Sequence, residues 1–203
     1  MYNGLSLAVG RCGAVALAAH QVLLRSFFFF TPIGDSIGMT SQVFLPDVLK
    51  AEARDFANGK TATRGARRML GGIAMAAGAC AALSAGGLPA RFGFVFTSNA
   101  KVLAAMRGAA PILAAGVLFH AVALASEGML LAEGDLRFLS TSYVVTSGAT
   151  LTLLLSRFRP TSLNAAWGFL GLFHAARAAQ FGARASFLAS RRARQARVDR
   201  RAA

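Results

Sequence analysis

Two acidic residues lie where the sequence is otherwise apolar, and a carboxylate in such a place can bind a cation or exchange a proton. Asp35 follows Pro32 in the apolar N-terminal fifth of the chain, and Glu127 ends an uncharged stretch that begins after Arg107. Burial favours the protonated form of a carboxyl group, which suits it to proton exchange. The sequence therefore indicates Glu127 and Asp35 as candidates for coupling to H⁺ or Na⁺. The alternative is that each caps a helix or pairs locally, Asp35 with Arg25.

Four further side chains are candidates for lining a cavity. His20 and Gln21 lie about one helical turn before Arg25, and Phe119 and Tyr143 supply rings that can pack against flat organic cations or phenolics. A structural explanation competes in each case. A single buried histidine is commonly a hydrogen-bonded packing group, and aromatic residues commonly anchor helices at the membrane interface.

Other chemistries lack the residues they would need. Cys12 and Cys80 are far apart and each lies in an apolar run, so neither a disulfide framework nor a metal-binding spacing is present. No glycine-rich phosphate loop follows a strand, and no Ser-His-Asp set can be identified. We therefore predict neither an enzyme nor a resident cofactor, and H⁺ or Na⁺ as the only ion involved.

The composition excludes an ordinary water-soluble domain. Apolar residues make up 55% of the chain and charged residues only 15%, whereas soluble proteins carry about a quarter. The mean hydropathy is +0.52. The formal net charge is +14, which alone is compatible with nucleic acid, anionic lipid or membrane topology.

The spacing of charges predicts a multi-pass membrane protein. About 20 apolar residues in a helix cross a hydrocarbon core of about 30 Å. Uncharged or nearly uncharged stretches of this length predict five transmembrane helices near 13–43, 69–90, 104–126, 138–156 and 162–186. The first is expected to kink near Pro32; the alternative is a shorter span followed by an interfacial segment. The predicted fold is all-α and polytopic.

Small and polar residues within the spans have structural roles in this prediction. His174 and Arg177 lie one turn apart and share a helix face. Glycines in the second span are predicted to be close-packing positions between membrane helices; they are Gly71, Gly72, Gly78, Gly86 and Gly87.

The positive charges are concentrated on one predicted side of the membrane. The loop 44–68, the turn 127–137 and the C-terminal tail share that side and carry fourteen cations: Lys50, Arg54, Lys60, Arg64, Arg67, Arg68, Arg137, Arg184, Arg191, Arg192, Arg194, Arg197, Arg200 and Arg201. The other side carries five, namely Arg11, Arg91, Lys101, Arg157 and Arg159. The positive-inside rule accounts for this asymmetry, and anionic lipid reinforces it. No nucleic-acid partner is needed.

Short motifs follow one another in a definite order between residues 10 and 188. They are Ala18-Ala19-His20-Gln21, Ser41-Gln42-Val43-Phe44-Leu45-Pro46, Arg64 to Arg68, Phe96-Thr97-Ser98-Asn99, Glu127-Gly128, Gly134-Asp135-Leu136-Arg137-Phe138, and Trp167 to Phe173 followed by Arg177. In order and spacing, they resemble helices eight to twelve of the multidrug and toxic compound extrusion transporters, in the DinF-like branch. Glu127 stands where that family has an aspartate before glycine.

The resemblance implies cation-coupled export of a small organic solute by alternating access between two six-helix lobes. It implies three regions: 1–10 as the end of a preceding helix, 11–188 as the C-terminal lobe, and 189–203 as a basic tail on the cytosolic side. We expect the N-terminal lobe to be missing from this sequence. The family's loop after the eighth helix is altered at Leu45–Leu49. Both the plasma membrane and a plastid envelope remain open, and the alternative function is a structural accessory subunit of a larger membrane complex.

Overall fold

The computed structural model describes residues 1–54, 59–156 and 159–202, with the side chains of 52–62, 193, 196–197 and 199–202 left out. The helices in these ranges are α1 Tyr2–Gly10, α2 Ala14–Phe30, α3 Pro32–Arg54, α4 Gly59–Arg91, α5 Ala100–Ala132, α6 Leu136–Leu155 and α7 Leu163–Ala202. A 3₁₀ turn at Gly93–Val95 precedes α5. The predicted all-α fold is confirmed across this part of the chain.

Among the residues that the structure describes, four helical segments are long and apolar enough to cross a membrane: Ala14–Ala51, Thr63–Arg91, Ala100–Ala132 and Leu136–Leu155. The predicted multi-pass membrane architecture is therefore supported, but with four such segments instead of five. The fifth predicted span, 162–186, is helical within α7. This segment is less apolar than the other four because its buried face carries His174 and Arg177.

The helix ends have local causes in the sequence. The axis of the first span is interrupted at Thr31, and Pro32 is the first residue of α3, a position at which proline loses no helical hydrogen bond. Asn99 caps α5, its side-chain oxygen accepting hydrogen bonds from the backbone N–H groups of Lys101 and Val102. Gly134, with a φ of 75°, makes the turn after α5, because a left-handed conformation is easiest for glycine.

The helix α5 forms the centre of the bundle. The helices α2 and α3 lie along it in the same chain direction, as α7 does, whereas α4 runs the opposite way. The largest apolar cluster includes Phe27, Met106, Leu113, Trp167 and Leu170. The side chain of Phe27 is fully buried within this cluster.

Two helices approach α5 through glycine. A Cβ built on Gly34 of α3 would lie 2.8 Å from the Cα of Ala121, and one built on Gly86 of α4 would lie 2.9 Å from the Cβ of Ala114. The predicted close-packing role is borne out for Gly78 and Gly86. It is wrong for Gly71, Gly72 and Gly87, which have no neighbour within 4 Å.

The basic loop, the acidic turn and the tail meet at one end of the bundle. Arg67 of α4 and Arg192 of α7 both contact Glu133, which closes α5. Arg184 pairs with Asp135 at 2.7 Å. The side chains of Arg54, Lys60, Arg197, Arg200 and Arg201 lie outside the described residues. The contacts of Arg67, Arg184 and Arg192 bring α4, the turn after α5 and the end of α7 together at this end of the bundle.

Candidate functional site

Glu127, in the C-terminal half of α5, forms an ion pair with Arg177. The guanidinium of Arg177 donates to Glu127 Oε2 at 2.9 Å, and the Tyr143 hydroxyl donates to the same oxygen at 2.5 Å. Arg177 also contacts the Tyr143 hydroxyl. Its guanidinium carbon lies 4.0 Å from the centroid of that ring. Helices α5, α6 and α7 are thus joined by a charge-assisted triad.

The second acid has a different partner from the one its sequence position suggested. Asp35 Oδ1 lies 3.5 Å from His120 Nε2, and no contact joins Asp35 to the exposed side chain of Arg25. The alternative pair of Asp35 with Arg25 is therefore not found. At this point α3 lies against α5 through the Gly34–Ala121 contact.

A chain of rings continues inward from Asp35. The rings of His120 and His174 meet edge to face, with centroids 4.9 Å apart. His174 Nε2 lies 3.5 Å from the hydroxyl of Tyr2, and Phe27 stacks on His174 with centroids 5.4 Å apart. His174 is fully buried and His120 is 8% exposed. In the described part of the chain, both ring nitrogens of His120 and Nδ1 of His174 have no hydrogen-bond partner.

These ionisable side chains are unusual because they lie within long apolar helical segments. Asp35 lies near the middle of the long apolar segment Ala14–Ala51, and His120 lies within Ala100–Ala132. An ionisable side chain at the bilayer centre costs about 2.5–3.5 kcal/mol on insertion scales, and such residues commonly mark ion or substrate pathways. We call the set Asp35, His120, His174, Arg177 and Glu127, with the hydroxyls of Tyr2 and Tyr143, the buried polar cluster.

Access to this cluster is asymmetric. The side chain of Asp35 is 48% exposed, whereas those of His120 and Glu127 are 11% and 19% exposed. Asp35 is therefore the most exposed of these three side chains, and the His120 imidazole lies deeper in the bundle. Among the described residues, no three His, Cys, Asp or Glu side chains are arranged to hold a metal ion.

Three of the four cavity candidates lie away from the cluster. His20 is fully buried and bonded to Ser6 Oγ at 2.9 Å, so it is a packing group in this bundle. Gln21 is exposed on the outside of α2, and Phe119 is 38% exposed on α5. That they line a cavity with Tyr143 stays a prediction; Gln21 and Phe119 are exposed, whereas His20 and His120 are buried.

A cleft of about 580 Å³ lies at the opposite end of the bundle from the basic loop. It is lined by Arg11 and Cys12 of the α1–α2 connection and by Arg159, Pro160 and Thr161 of the α6–α7 connection. None of the predicted cavity residues is among them.

His120 and Tyr2 were not identified from the sequence. A signal for His120 was present, because it lies within the third predicted span and seven residues before Glu127. That spacing puts the two side chains on the same face of a helix. Tyr2 gave no such signal, because its contact with His174 depends on how α1 packs against α7.

Comparisons with protein-family models, curated proteins and solved structures give no match to this chain. The interpretation of the site therefore depends on its geometry and on the residue chemistry described above.

Proposed function

We propose that the chain is one lobe of a cation-coupled secondary transporter that exports small organic solutes. The observation that carries the proposal is the buried polar cluster, in which two carboxylates, two imidazoles and a guanidinium from α3, α5 and α7 meet within apolar helices. The resemblance to multidrug and toxic compound extrusion transporters is consistent with it and supplies the expectation of a second lobe.

Stability alone is a poor explanation of the cluster. Buried ion pairs are often no more stabilising than apolar side chains of similar volume, because desolvation offsets the attraction between the charges. Asp35 is moreover half open, so its partner His120 does not shield it. A carboxylate kept accessible at this depth suits a group that exchanges a ligand.

The charge of the cluster favours a positively charged solute. The cluster contains two carboxyl groups, of Asp35 and Glu127, and one guanidinium, of Arg177. Tyr2 and Phe28 pack edge to face near Asp35, with ring centroids 4.8 Å apart, and aromatic faces attract organic cations. A flat organic cation therefore fits better than a phenolic anion.

A structural accessory subunit is the second candidate. The observation that favours it is the tight glycine contact of α3 and α4 with α5, which suits a fixed bundle better than helices that slide. A subunit of this kind would have no reason to bind an organic cation at the buried polar cluster.

Binding distinguishes the two candidates without requiring a second lobe. The full chain is placed in lipid nanodiscs, and ethidium fluorescence anisotropy is measured for the wild type, for Asp35→Asn and for Asp47→Asn, an exposed acid outside the cluster. We expect saturable binding that is weakened in Asp35→Asn and unchanged in Asp47→Asn, because only the first variant removes a negative charge from the cluster. Absence of saturable binding, or binding that is the same in all three proteins, would contradict the transport proposal and favour the subunit.

A further inference from the structure

We propose that the cleft between the α1–α2 and α6–α7 connections binds a phosphate group, carried either by an anionic lipid or by a soluble phosphate ester. Arg11 and Arg159, which we call the cleft arginines, supply the positive charge, and Thr161 supplies a hydroxyl donor. None of the residues of the buried polar cluster lines this cleft. The inference therefore goes beyond the proposed transport and does not depend on it.

Cys12 and Pro160 bring the two connections together. The Cys12 thiol lies 3.7 Å from the carbonyl oxygen of Pro160 and the same distance from that of Ala8, in the last turn of α1. Pro160 is buried, and its ring restricts the backbone at this point. Because each of the cleft arginines directly precedes one of these residues in the chain, the contact holds both arginines at the same cleft.

The elements around the cleft provide no acid to pair with the cleft arginines. Their side chains are exposed, and neither guanidinium has a hydrogen bond or an ion pair with another described residue. Residues 1–34 and 136–198, which include every element that lines the cleft, contain no Asp or Glu. The connection between α4 and α5, at the same end of the bundle, contains none either. The charge that compensates the two arginines must therefore come from outside the chain.

Three arginines at the other end of the bundle, by contrast, have acidic partners. Arg67 and Arg192 share Glu133, and Arg184 binds Asp135. Each of these pairs joins two elements of the bundle. A structural role of this kind is not open to the cleft arginines, because they have no carboxylate to join.

The position of the cleft beside two apolar segments puts it at the level of the lipid headgroups. Arg11 lies just before the segment Ala14–Ala51, and Arg159 lies just after Leu136–Leu155. This side of the membrane carries only five of the predicted loop cations, and two of them line the cleft. Because the positive-inside rule places cations on the opposite side, it does not account for this pair.

Two guanidinium groups and a hydroxyl suit a phosphate group. The planar guanidinium can donate two parallel hydrogen bonds to phosphate oxygens, which makes arginine common in phosphate sites. The cleft volume of about 580 Å³ lies within the range of about 300–1,000 Å³ found for small-molecule sites. A phosphate ion alone fills only part of such a volume, so the remaining space suits the group to which the phosphate is esterified.

The start of α2 adds a second source of positive potential beside the cleft. Gly13, which follows Cys12, is the N-cap of α2, and no side chain accepts a hydrogen bond from the first turn of this helix. The start of α7 differs, because Ser162 Oγ accepts a hydrogen bond from the Ala165 N–H. The first turn of α2 therefore keeps N–H groups that attract an anion, and it adds to the charge of the cleft arginines.

Cys12 is a reporter for the site because it lines the cleft. The chain has two cysteines, so Cys80→Ala leaves Cys12 as the only thiol of the full chain. In one arm, the protein lies in phosphatidylcholine nanodiscs, and the rate of Cys12 alkylation by uncharged N-ethylmaleimide is measured as glycerol phosphate is added. Sodium chloride at equal ionic strength is the control. In the other arm, the nanodiscs contain phosphatidylglycerol, and native mass spectrometry counts the lipid that stays bound. We expect slower alkylation in at least one arm.

The double variant Arg11→Gln/Arg159→Gln should lose this protection and the bound lipid. Loss of each charge-assisted contact is expected to weaken binding by about tenfold or more. The matched control is Arg91→Gln/Lys101→Gln, which removes the same charge from exposed residues at the same end of the bundle but outside the cleft. It should keep the protection. Because the cleft arginines are exposed and unpaired among the described residues, both double variants should keep the Tm of the parent protein.

The two arms distinguish the two sources of phosphate. Protection by glycerol phosphate assigns the cleft to a soluble phosphate ester, whereas protection and retained lipid with phosphatidylglycerol alone assign it to a lipid headgroup. The site is overturned if Cys12 is protected in neither arm, if chloride protects it equally, or if the control variant loses protection as much as the cleft variant does. None of these results depends on whether ethidium binds.

Discussion

Gly34 and Ala121 are in backbone contact, and the residues beside them are Asp35 and His120. A Cβ on Gly34 would lie 2.8 Å from the Cα of Ala121, so only glycine lets α3 come this close to α5. The approach continues one turn later, where the carbonyl oxygen of Leu124 would lie 2.8 Å from a Cβ on Gly38. The glycine pair thus positions the carboxylate against the imidazole.

Gly34→Ala should destabilise the bundle and separate Asp35 from His120. Overpacking a tight contact typically costs about 1–3 kcal/mol, so we expect a lower Tm in detergent. Gly71→Ala is the matched control, because no atom lies within 4 Å of its added Cβ. It should be neutral or raise the stability by about 0.5–1 kcal/mol through helix propensity. Equal Tm values for the two variants would contradict the positioning role.

These glycines show what spacing along the sequence can and cannot predict. Length and charge spacing located the apolar helices, because crossing a bilayer requires a long run without ions. Which residues of each helix face a neighbouring helix could not be predicted in the same way. Gly71 and Gly78 look alike in the sequence, yet only Gly78 meets a neighbour, Leu118 and Ala121 of α5. Rotation about the helix axis is decided by packing between helices.

Arg177→Gln should be strongly destabilising because it leaves Glu127 without its cation. The side chain of Arg177 is 7% exposed and that of Glu127 is 19% exposed. Removal of one partner of a buried pair typically costs about 3–5 kcal/mol, and the melting temperature in detergent measures the loss. Glu127→Gln added to it should recover most of the stability. Arg107→Gln, at an exposed arginine bonded to the Ala90 carbonyl, is the control. A double variant as unstable as Arg177→Gln would contradict the prediction that Arg177 stabilises the bundle by compensating Glu127.

The candidate site was predictable in part. Asp35, Glu127 and Tyr143 could be chosen because charges and polar rings are rare in apolar helices. Their partners could not, since the Asp35–His120 and Glu127–Arg177 contacts join helices far apart in sequence. Proximity along the chain pointed to Arg25, only ten residues before Asp35. Ten residues along a helix span about 15 Å, however, which is too far for a pair.

Glu133→Gln should loosen the basic end of the bundle. The Glu133 side chain is 1% exposed and contacts both Arg67 and Arg192, so its loss leaves two arginines without their shared acid. We expect a lower Tm and faster proteolysis after Arg191, with the stability loss near the 3–5 kcal/mol typical of buried pairs. Asp47→Asn is the control, because the Asp47–Lys50 pair is 84% and 71% exposed and such pairs contribute about 0–1 kcal/mol. Identical proteolysis rates in both variants would contradict the prediction that Glu133 holds α4 and α7 together.

The two ends of the bundle should lie on opposite sides of a membrane. In a chain with Cys12 and Cys80 replaced by alanine, single cysteines at Lys50 and Arg191 should react with an impermeant maleimide from one side of sealed vesicles. A single cysteine at Phe94, an exposed residue of the 3₁₀ turn, should react from the other side, because α4 and α5 each cross between these ends. The shared contact of Arg67 and Arg192 with Glu133 requires the first two to agree. Labelling of Lys50→Cys and Arg191→Cys from opposite sides would therefore refute both the contact and the membrane topology inferred from the arginines.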